Sequence, residues 1–339
     1  MKKISIKDIA KMAGVAPSTV SSVLNNKNKE ARISDALADK IKLISKKVGY
    51  RPNSTAVSLR TGKTNIIGLI VEDISNPFFA LLAKALEDEI KKHDYRILYC
   101  STENDDINAA DLVQMLFHRQ VDGFLIAPTA GMKKSLIELT ETNKPLVLID
   151  RYYPELKIPS VLVDNKLGIT MCMDLFWAKG YTKTGFITTN VEQVNMLERE
   201  EAYRDSLKKN KVAVSEKFIL KIPINLPYAE KVKKINLFIK KNPVLDSLIF
   251  STNYLGIAGL EAIKLCRLQI PQDIAIISFD DLDLFRLYTP GITTISQPID
   301  EIAKQAIILL FNQINKNPQQ VSQRKPYTFP PHLITRKSV

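Results

Sequence analysis

From Asn65 onward, short apolar runs alternate with helical segments, and this alternation constrains the fold more than any other feature. The runs cover residues 66–71, 96–100, 123–127, 146–150, 161–164, 184–188, 218–222, 248–251 and 275–279. Apolar strands separated by helices, such as those near 77–92 and 106–118, indicate parallel sheets covered on both faces. Nine such runs are too many for one compact sheet with a single core. The pattern therefore predicts two doubly wound halves, with a ligand cleft at the carboxyl ends of their strands.

The positive charge of the chain is concentrated at its N-terminus. The 339 residues include 48 Lys and Arg and 36 Asp and Glu, a net charge of +12. Residues 1–62 contain 13 basic and 4 acidic side chains, so +9 of that charge lies in this segment and +3 in the other 277 residues. This asymmetry favours a nucleic-acid-binding module. The alternative is a solvated basic tail, which would not need the helical periodicity of this segment.

The first fifty residues have the pattern of three short helices. Apolar side chains recur at helical spacing between Ser5, a favourable N-cap, and Gly14, a favourable C-terminal cap. Pro17 suits the first position of a second helix, and a third helix is predicted between Ser34 and Gly49. The outward face of the second helix carries hydroxyl groups, those of Ser18, Thr19, Ser21 and Ser22. This layout predicts a helix-turn-helix, whose second helix enters the major groove of DNA.

No pattern in the sequence indicates an enzyme. The nucleophile-elbow, zinc-protease and dinucleotide-binding motifs are missing, and residues 61–64 lack the earlier glycine of a phosphate-binding loop. The histidines and cysteines are scattered, at His93, His118, His332, Cys100, Cys172 and Cys266. We therefore expect no catalytic residue, no metal and no cofactor. The lack of a secretory signal and of a membrane-spanning apolar stretch predicts a cytoplasmic protein.

Three segments, residues 6–15, 18–25 and 49–53, resemble the DNA-binding headpiece of the lactose-repressor (LacI–GalR) family. The resemblance implies contacts to bases for Pro17, Ser18 and Ser22, and other DNA contacts for Thr19, Ser21, Asn25 and Tyr50. Two positions differ from the family pattern. Ala16 replaces the common Ser or Thr, and Ser22 replaces the common Arg or His. Because Arg contacts discriminate strongly between bases, the operator sequence is not expected to be that of a relative.

Residues 53–60 resemble the hinge helix of the same family. Their β-branched and serine residues are weak helix formers, so this helix is expected to fold only on a partner. In the family, two hinge helices of a dimer enter the minor groove, and a leucine separates the central base pairs. Leu59 is the matching residue, and the resemblance also implies DNA contacts for Asn53, Ala56 and Arg60. The alternative is a plain linker between domains.

Polar residues collect at the predicted strand ends, where they suit a polyhydroxylated ligand or the capping of helices. This part resembles the effector-binding core of the same family, a periplasmic-sugar-binding-protein fold. The resemblance implies a cleft lined by Asp73, Phe78, Arg151, Asp164, Arg199, Asn253 and Asp280. Ala202 and Tyr254 differ from the family's Gly and Asp, which leaves the ligand open. Three apolar residues suit either the pocket wall or the core: Met196, Phe285 and Trp177.

We therefore predict a small all-α helix-turn-helix headpiece at 1–50, a hinge helix and linker at 51–64, and an α/β core of two doubly wound parallel-sheet subdomains at 65–339. The N-subdomain is assigned residues 65–163 plus 284–297, and the C-subdomain residues 164–283 plus 298–339. The predicted function is a sequence-specific transcriptional repressor controlled by a carbohydrate-type effector between the subdomains.

The expected partners are operator DNA, the effector and a second copy of the chain. No heptad tail precedes Val339, so we expect a homodimer and no larger assembly, with contacts near 76–88 by analogy with the family. Two alternatives stay open. One is a purine- or nucleoside-responsive regulator of the same family, and the other is a sugar-binding protein without a role on DNA.

Overall fold

The computed structural model describes residues 4–25, 27–50, 58, 61–315 and 325–339. The chain forms two compact units, Met1–Thr64 and Asn65–Val339. The second unit begins at the residue where the sequence predicts the start of the α/β core.

Among its described residues, the first unit contains the helices α1 (Ile6–Ala13), α2 (Pro17–Leu24) and α3 (Asp35–Lys47). At the start of α1, the Ser5 side chain accepts the Asp8 N–H, and the Asp8 carboxylate accepts the Ser5 N–H at 2.8 Å. Gly14 follows α1 in the left-handed conformation, with φ of 72°. Apolar residues of all three helices form the core of this unit: Ile9, Ala10, Ala13, Val20, Val23, Ala38 and Ile41. The predicted helix-turn-helix layout is confirmed.

The second unit contains two six-stranded sheets. The first is formed by β1 (Ile66–Val71), β2 (Arg96–Ser101), β3 (Gly123–Ile126), β4 (Leu146–Ile149), β5 (Ser160–Val163) and β11 (Tyr327–Phe329). Its order is β11-β5-β4-β3-β1-β2, and its strand pairs are parallel. Its helices are α4 (Pro77–Lys91), α5 (Asp106–His118), α6 (Lys133–Glu141) and α12 (Ile299–Ile314). We call this half the N-lobe.

The other half, the C-lobe, is built on the second sheet. Its strands are β6 (Thr184–Thr189), β7 (Ile219–Ile222), β8 (Ser247–Phe250), β9 (Ala275–Phe279), β10 (Thr293–Ser296) and β12 (His332–Ile334). Their order is β12-β10-β9-β8-β6-β7, parallel except for the pair β10–β12. Its helices are α7 (Asn165–Ala178), α8 (Val194–Lys209), α9 (Tyr228–Lys241), α10 (Asn253–Leu265) and α11 (Asp283–Leu287). The two doubly wound halves are thereby confirmed.

The subdomain assignment of the late chain is wrong. Strand β10 pairs with β9 and lies in the C-lobe, whereas α12 and β11 belong to the N-lobe. The apolar face of α12 decides its place, because Ile302, Ile307 and Leu310 are buried in the N-lobe core. The chain therefore passes between the lobes three times, between β5 and α7, β10 and α12, and β11 and β12.

Two negative findings concern the part of the chain that the structure describes. None of its helices combines the length and the apolar character needed to cross a membrane. In the same residues, no group of three or more His, Cys, Asp or Glu side chains is arranged to hold a metal ion.

Adjacent isoleucines of α12 test its place in the N-lobe. Ile307 is 2% exposed and lies in the core, whereas Ile308 is 44% exposed. We expect Ile307→Ala to lower the free energy of unfolding by about 2–5 kcal/mol, since it leaves a cavity. Ile308→Ala, the matched control, should change it by less than about 1 kcal/mol. Urea unfolding followed by circular dichroism measures both, and equal effects would contradict this packing.

Candidate functional site

A polar chamber lies between the two lobes, at the carboxyl ends of their parallel strands. Its charged lining residues are Glu72, Asp150, Arg151, Arg199 and Asp280. Hydroxyl and amide groups line it as well, from Asn76, Thr189, Gln193, Asn195, Thr252 and Gln297. Phe78, Phe79, Met196 and Tyr254 complete the wall. We call this space the inner chamber. Its free volume of about 30 Å³ has room for about one or two water molecules.

Arg151 is buried and compensated by two carboxylates. Its guanidinium forms an ion pair and a hydrogen bond with Glu72, and its Nε lies 3.0 Å from Asp150 Oδ2. Burial disfavours the charge of Arg151, but the two carboxylates outweigh this effect and hold the pKa of the guanidinium above its ordinary value. Removing one partner of such a buried pair costs about 3–5 kcal/mol, so Glu72 and Arg151 require each other.

Arg199 is buried as well, but neutral groups accept its hydrogen bonds. Its Nε donates to Asn165 Oδ1 at 2.8 Å, and its Nη1 donates to the carbonyl oxygen of Ser251 at 2.6 Å. The guanidinium also lies 3.5 Å from the centroid of the Phe279 ring. Burial lowers the pKa of Arg199, although the nearby carboxylates of Asp280 and Asp150 oppose that change. Among the described residues no carboxylate lies within ion-pair distance of Arg199.

The carboxylates of Asp150 and Asp280 occupy unfavourable positions. Burial raises the pKa of both. The positive charges of Arg151 and Arg199 reduce the rise only in part at Asp150, as does the charge of Arg199 at Asp280. Each residue also has a left-handed backbone, with φ of 63° at Asp150 and 67° at Asp280. Gln297 Nε2 donates to Asp280 Oδ1 at 2.7 Å and holds that carboxylate in place. Such strain is typical of functional positions, where the surrounding structure enforces an unfavourable conformation.

Three side-chain hydrogen bonds join the lobes across the chamber. Gln193 Nε2 donates to Asn104 Oδ1 at 2.7 Å, and the same oxygen accepts from Arg151 Nη1 at 3.2 Å. Asn195 Nδ2 donates to Asp150 Oδ2 at 3.3 Å. The third bond runs from Asn253 Nδ2 to Asn76 Oδ1 at 2.8 Å. The polar groups of the chamber therefore hold the lobes in their present arrangement.

A larger space, the outer chamber, adjoins the inner one. The two share Glu72, Asn76 and Tyr254 as lining residues. The outer chamber has a free volume of about 320 Å³, which is in the range of small-molecule sites.

The predicted effector residues are distributed over three places. Phe78, Arg151, Arg199 and Asp280 line the inner chamber. Asp73 and Asn253 line the outer chamber. Asp164 lines neither chamber; its Oδ1 accepts the Leu167 N–H at 2.9 Å and caps α7. Of the apolar candidates, Met196 lies in the wall of the inner chamber, Phe285 is buried in a C-lobe core and Trp177 packs beside another.

Polar residues of this region that sequence reasoning did not assign include Glu72, Asn76, Asn104, Gln193, Asn195 and Gln297. Only their position in the sequence, next to the end of a strand or the start of a helix, could have indicated some of them. Glu72 and Gln297 directly follow strands β1 and β10, and Asn76 and Gln193 precede the first residues of α4 and α8. Residues at these positions also cap helices, as Asn76 does when its Oδ1 accepts the Phe78 N–H at 3.1 Å.

The predicted DNA-binding residues of the headpiece lie on and after α2. Pro17, Ser18 and Asn25 are exposed, and Thr19, Ser21, Ser22 and Tyr50 are half-buried. The Asn25 side chain donates to the carbonyl oxygen of Ser21 at 2.6 Å. The remaining predicted DNA contacts, Asn53, Ala56, Leu59 and Arg60, fall outside the described residues. The second helix thus offers hydroxyl groups to a partner and carries no charged side chain.

Comparison with known proteins decides the family. Residues 5–53 match the bacterial regulatory proteins of the lacI family, and residues 173–339 match the periplasmic binding protein-like domain. The probable HTH-type transcriptional regulator EndR of Paenibacillus polymyxa is 32% identical, over 93% of this chain and 92% of its own. The chain belongs to the LacI family.

Other LacI-family proteins match the full length. The ribose operon repressor of Haemophilus influenzae is 29% identical over 99% of this chain and 98% of its own. A structure of the Lac repressor dimer bound to operator and the anti-inducer ONPF covers 99% of both chains, with a TM-score of 0.87 at 18% identity. This LacI-family chain is accordingly a DNA-binding transcriptional regulator, as predicted.

Because the pKa of Asp280 is raised, we predict that replacing its carboxyl with a neutral amide stabilises the protein at neutral pH. The folded protein favours the protonated carboxyl, so ionisation at neutral pH lowers the free energy of unfolding. Asp280→Asn keeps an acceptor for Gln297 and should increase the free energy of unfolding at pH 7. The native chain regains this stability as the pH falls through the raised pKa. The difference in the free energy of unfolding between the two proteins should therefore vanish below the pKa of the carboxyl in the unfolded chain, about 3.9.

Urea unfolding between pH 7 and about pH 3 measures this difference. Asp283→Asn is the control, since its side chain is 86% exposed, and it should change the free energy of unfolding by less than about 0.5 kcal/mol. A less stable Asp280→Asn protein, or a difference that does not vary with pH, would contradict the analysis.

Proposed function

We propose that this protein represses transcription at an operator and that a carbohydrate bound in the inner chamber controls its affinity for DNA. The observation that carries the proposal is the chamber itself, whose polar groups come from both lobes and join them. A ligand at this place contacts both lobes at once. It therefore changes the free energy of one lobe arrangement relative to another, as allosteric control requires.

The size of the inner chamber supports a coupling between binding and lobe movement. Its 30 Å³ is too small for a sugar ring, so a ring enters only if the lobes separate or side chains move. Entry must then replace bonds between the lobes, such as Gln193–Asn104 and Asn195–Asp150. We infer that the effector takes over these hydrogen bonds and sets a new angle between the lobes.

The chemistry of the lining favours a polyhydroxylated ligand. Each sugar hydroxyl both donates and accepts, and the chamber supplies carboxylates, guanidinium groups and amides for both roles. Thr189 is 4% exposed and its Oγ1 has no hydrogen-bond partner among the described residues. A buried hydroxyl without a partner is costly, so a ligand hydroxyl beside Thr189 would gain free energy.

A nucleobase is the second candidate, because Phe78 and Phe79 line the same chamber. Their rings contact each other edge to face, with 5.0 Å between centroids. The Phe79 ring also lies 5.9 Å from the Arg151 guanidinium. The charged, amide and hydroxyl groups of the lining outnumber its aromatic rings, which favours the sugar.

We propose a homodimer, with the N-lobe as one contact surface. Its exposed large apolar side chains include Ile74, Leu81, Leu98 and Tyr99. Leu98 and Tyr99 lie on β2, an edge strand, and Leu81 lies on the neighbouring helix α4. Exposed apolar side chains on and beside an edge strand are typical of an association surface. A dimer would place two headpieces on a two-fold symmetric operator in the cytoplasm.

Selection from random DNA duplexes tests the regulator. We expect one two-fold symmetric site, bound with an affinity that falls steeply as salt rises, because headpiece cations replace counterions on the phosphates. One member of a panel of sugars, sugar phosphates and nucleosides should change that affinity. Weak binding without sequence preference, indifferent to every ligand, would exclude the proposal.

Thr189→Val tests the place of the effector. The substitution removes a hydroxyl that has no partner among the described residues, so the ligand alone loses a hydrogen bond. The sugar concentration for half-maximal change in operator affinity should rise roughly 2- to 12-fold.

Thr188→Val is the matched control. Thr188 Oγ1 accepts from Ser251 Oγ at 3.0 Å, so its loss should lower thermal stability without changing the sugar dependence. If the operator affinity of Thr189→Val depended on sugar concentration as that of the native chain does, the effector would not lie beside β6.

A further inference from the structure

The outer chamber differs from the inner one in how much ligand it admits. Its free volume is about 320 Å³, roughly ten times that of the inner chamber, without any movement of the lobes. A space of this size is larger than a passage for a small ligand needs to be, and it is large enough to bind one. The two chambers share Glu72, Asn76 and Tyr254, so one ligand can extend from the first into the second.

The wall of the outer chamber provides both the apolar surface and the polar groups that a sugar ring needs. The Ile224 and Ile257 side chains provide apolar surface, and Asn225 offers an exposed amide. Lys231 on α9 places its ammonium 5.0 Å from the centroid of the Tyr254 ring. Lys231 has no ion pair with another described residue, so its donors are available to ligand hydroxyl groups.

The backbone on the opposite wall supports a binding role. Glu103 and Asn104 are consecutive residues in the left-handed conformation, with φ of 54° and 55°. Both line the outer chamber. Two adjacent non-glycine residues in this region are energetically costly, and the strain positions their side chains toward the cleft between the lobes.

The charges around the outer chamber indicate whether a sugar ring bound there would be charged or neutral. Asp73 and Glu103 contribute two carboxylates without an ion-pair partner among the described residues, against the single ammonium of Lys231, whereas the charge of Glu72 is compensated by Arg151. An acidic or phosphorylated unit would meet repulsion from these carboxylates, whereas neutral hydroxyl groups donate to them. The balance therefore selects an uncharged unit.

We propose that the outer chamber is a second sugar subsite, and that the effector is a neutral glycan of at least two units. One ring occupies the inner chamber after the lobes move, and the next lies against Tyr254 and Lys231. This assignment rests on the proposed function of the inner chamber and adds the length and charge of its ligand.

Calorimetric titration of the full chain with matched sugars tests the subsite. The pairs are glucose with cellobiose and maltose, galactose with lactose, and xylose with xylobiose, each beside the corresponding uronic acid or sugar phosphate. We expect one neutral disaccharide to bind at least about tenfold tighter than its own monosaccharide. Asn225→Ala and Lys231→Ala should each bring the ratio of the two affinities toward one. Lys234→Ala is the control, because Lys234 is exposed on the same helix and lies outside the chamber.

The outcomes separate the two proposals. A monosaccharide that binds as tightly as its disaccharides and still changes operator affinity would overturn the second subsite and leave the regulator intact. Tighter binding of a charged sugar would overturn the neutral assignment. An affinity ratio that is the same in Asn225→Ala, Lys231→Ala and the native chain would show that the outer chamber is an entrance only. If no sugar in the panel bound, both the subsite and the carbohydrate effector would be excluded.

Discussion

The cleft depends on how two buried arginine charges are compensated. Arg151 has carboxylate partners in its own lobe, while Arg199 is held by the amide of Asn165 and a backbone carbonyl in the other. A buried charge without compensation costs several kcal/mol, so the residues around each guanidinium cannot vary independently. Asn104 then connects the Arg151 cluster to Gln193 of the C-lobe. The relative position of the lobes is therefore tied to the same groups that a ligand would contact.

The site also concentrates groups whose conformation, charge or burial opposes stability. Asp150 and Asp280 have unfavourable backbone conformations and raised pKa values, and the buried hydroxyl of Thr189 has no partner in the described part of the chain. The strands beneath them are fully buried and apolar, as in β3, β4 and β8. A strained polar site on a rigid apolar frame is the distribution expected where function opposes stability.

Much of the fold could be predicted from local pattern. Helix α5 spans 106–118 and strand β1 spans 66–71, as the periodicity indicates. The site was predictable only in part. Resemblance to the family placed Arg151, Arg199 and Asp280 in the cleft, yet Asp164 follows a strand in the same way and caps a helix. A polar residue after a strand has the same sequence signature in both roles, because capping and ligand binding use the same side-chain oxygens.

The sequence by itself determined the nine apolar strands from 66 to 279, the three-helix headpiece and the presence of two parallel sheets, because periodicity, caps and charge are properties of neighbouring residues. Only the tertiary structure decided that α12 and β11 return to the N-lobe while β10 joins the C-lobe. It also decided that Asn76 meets Asn253, 177 residues later. Strand pairing and hydrogen bonds across a cleft depend on which edges and side chains meet after the chain has packed, and no local pattern specifies them.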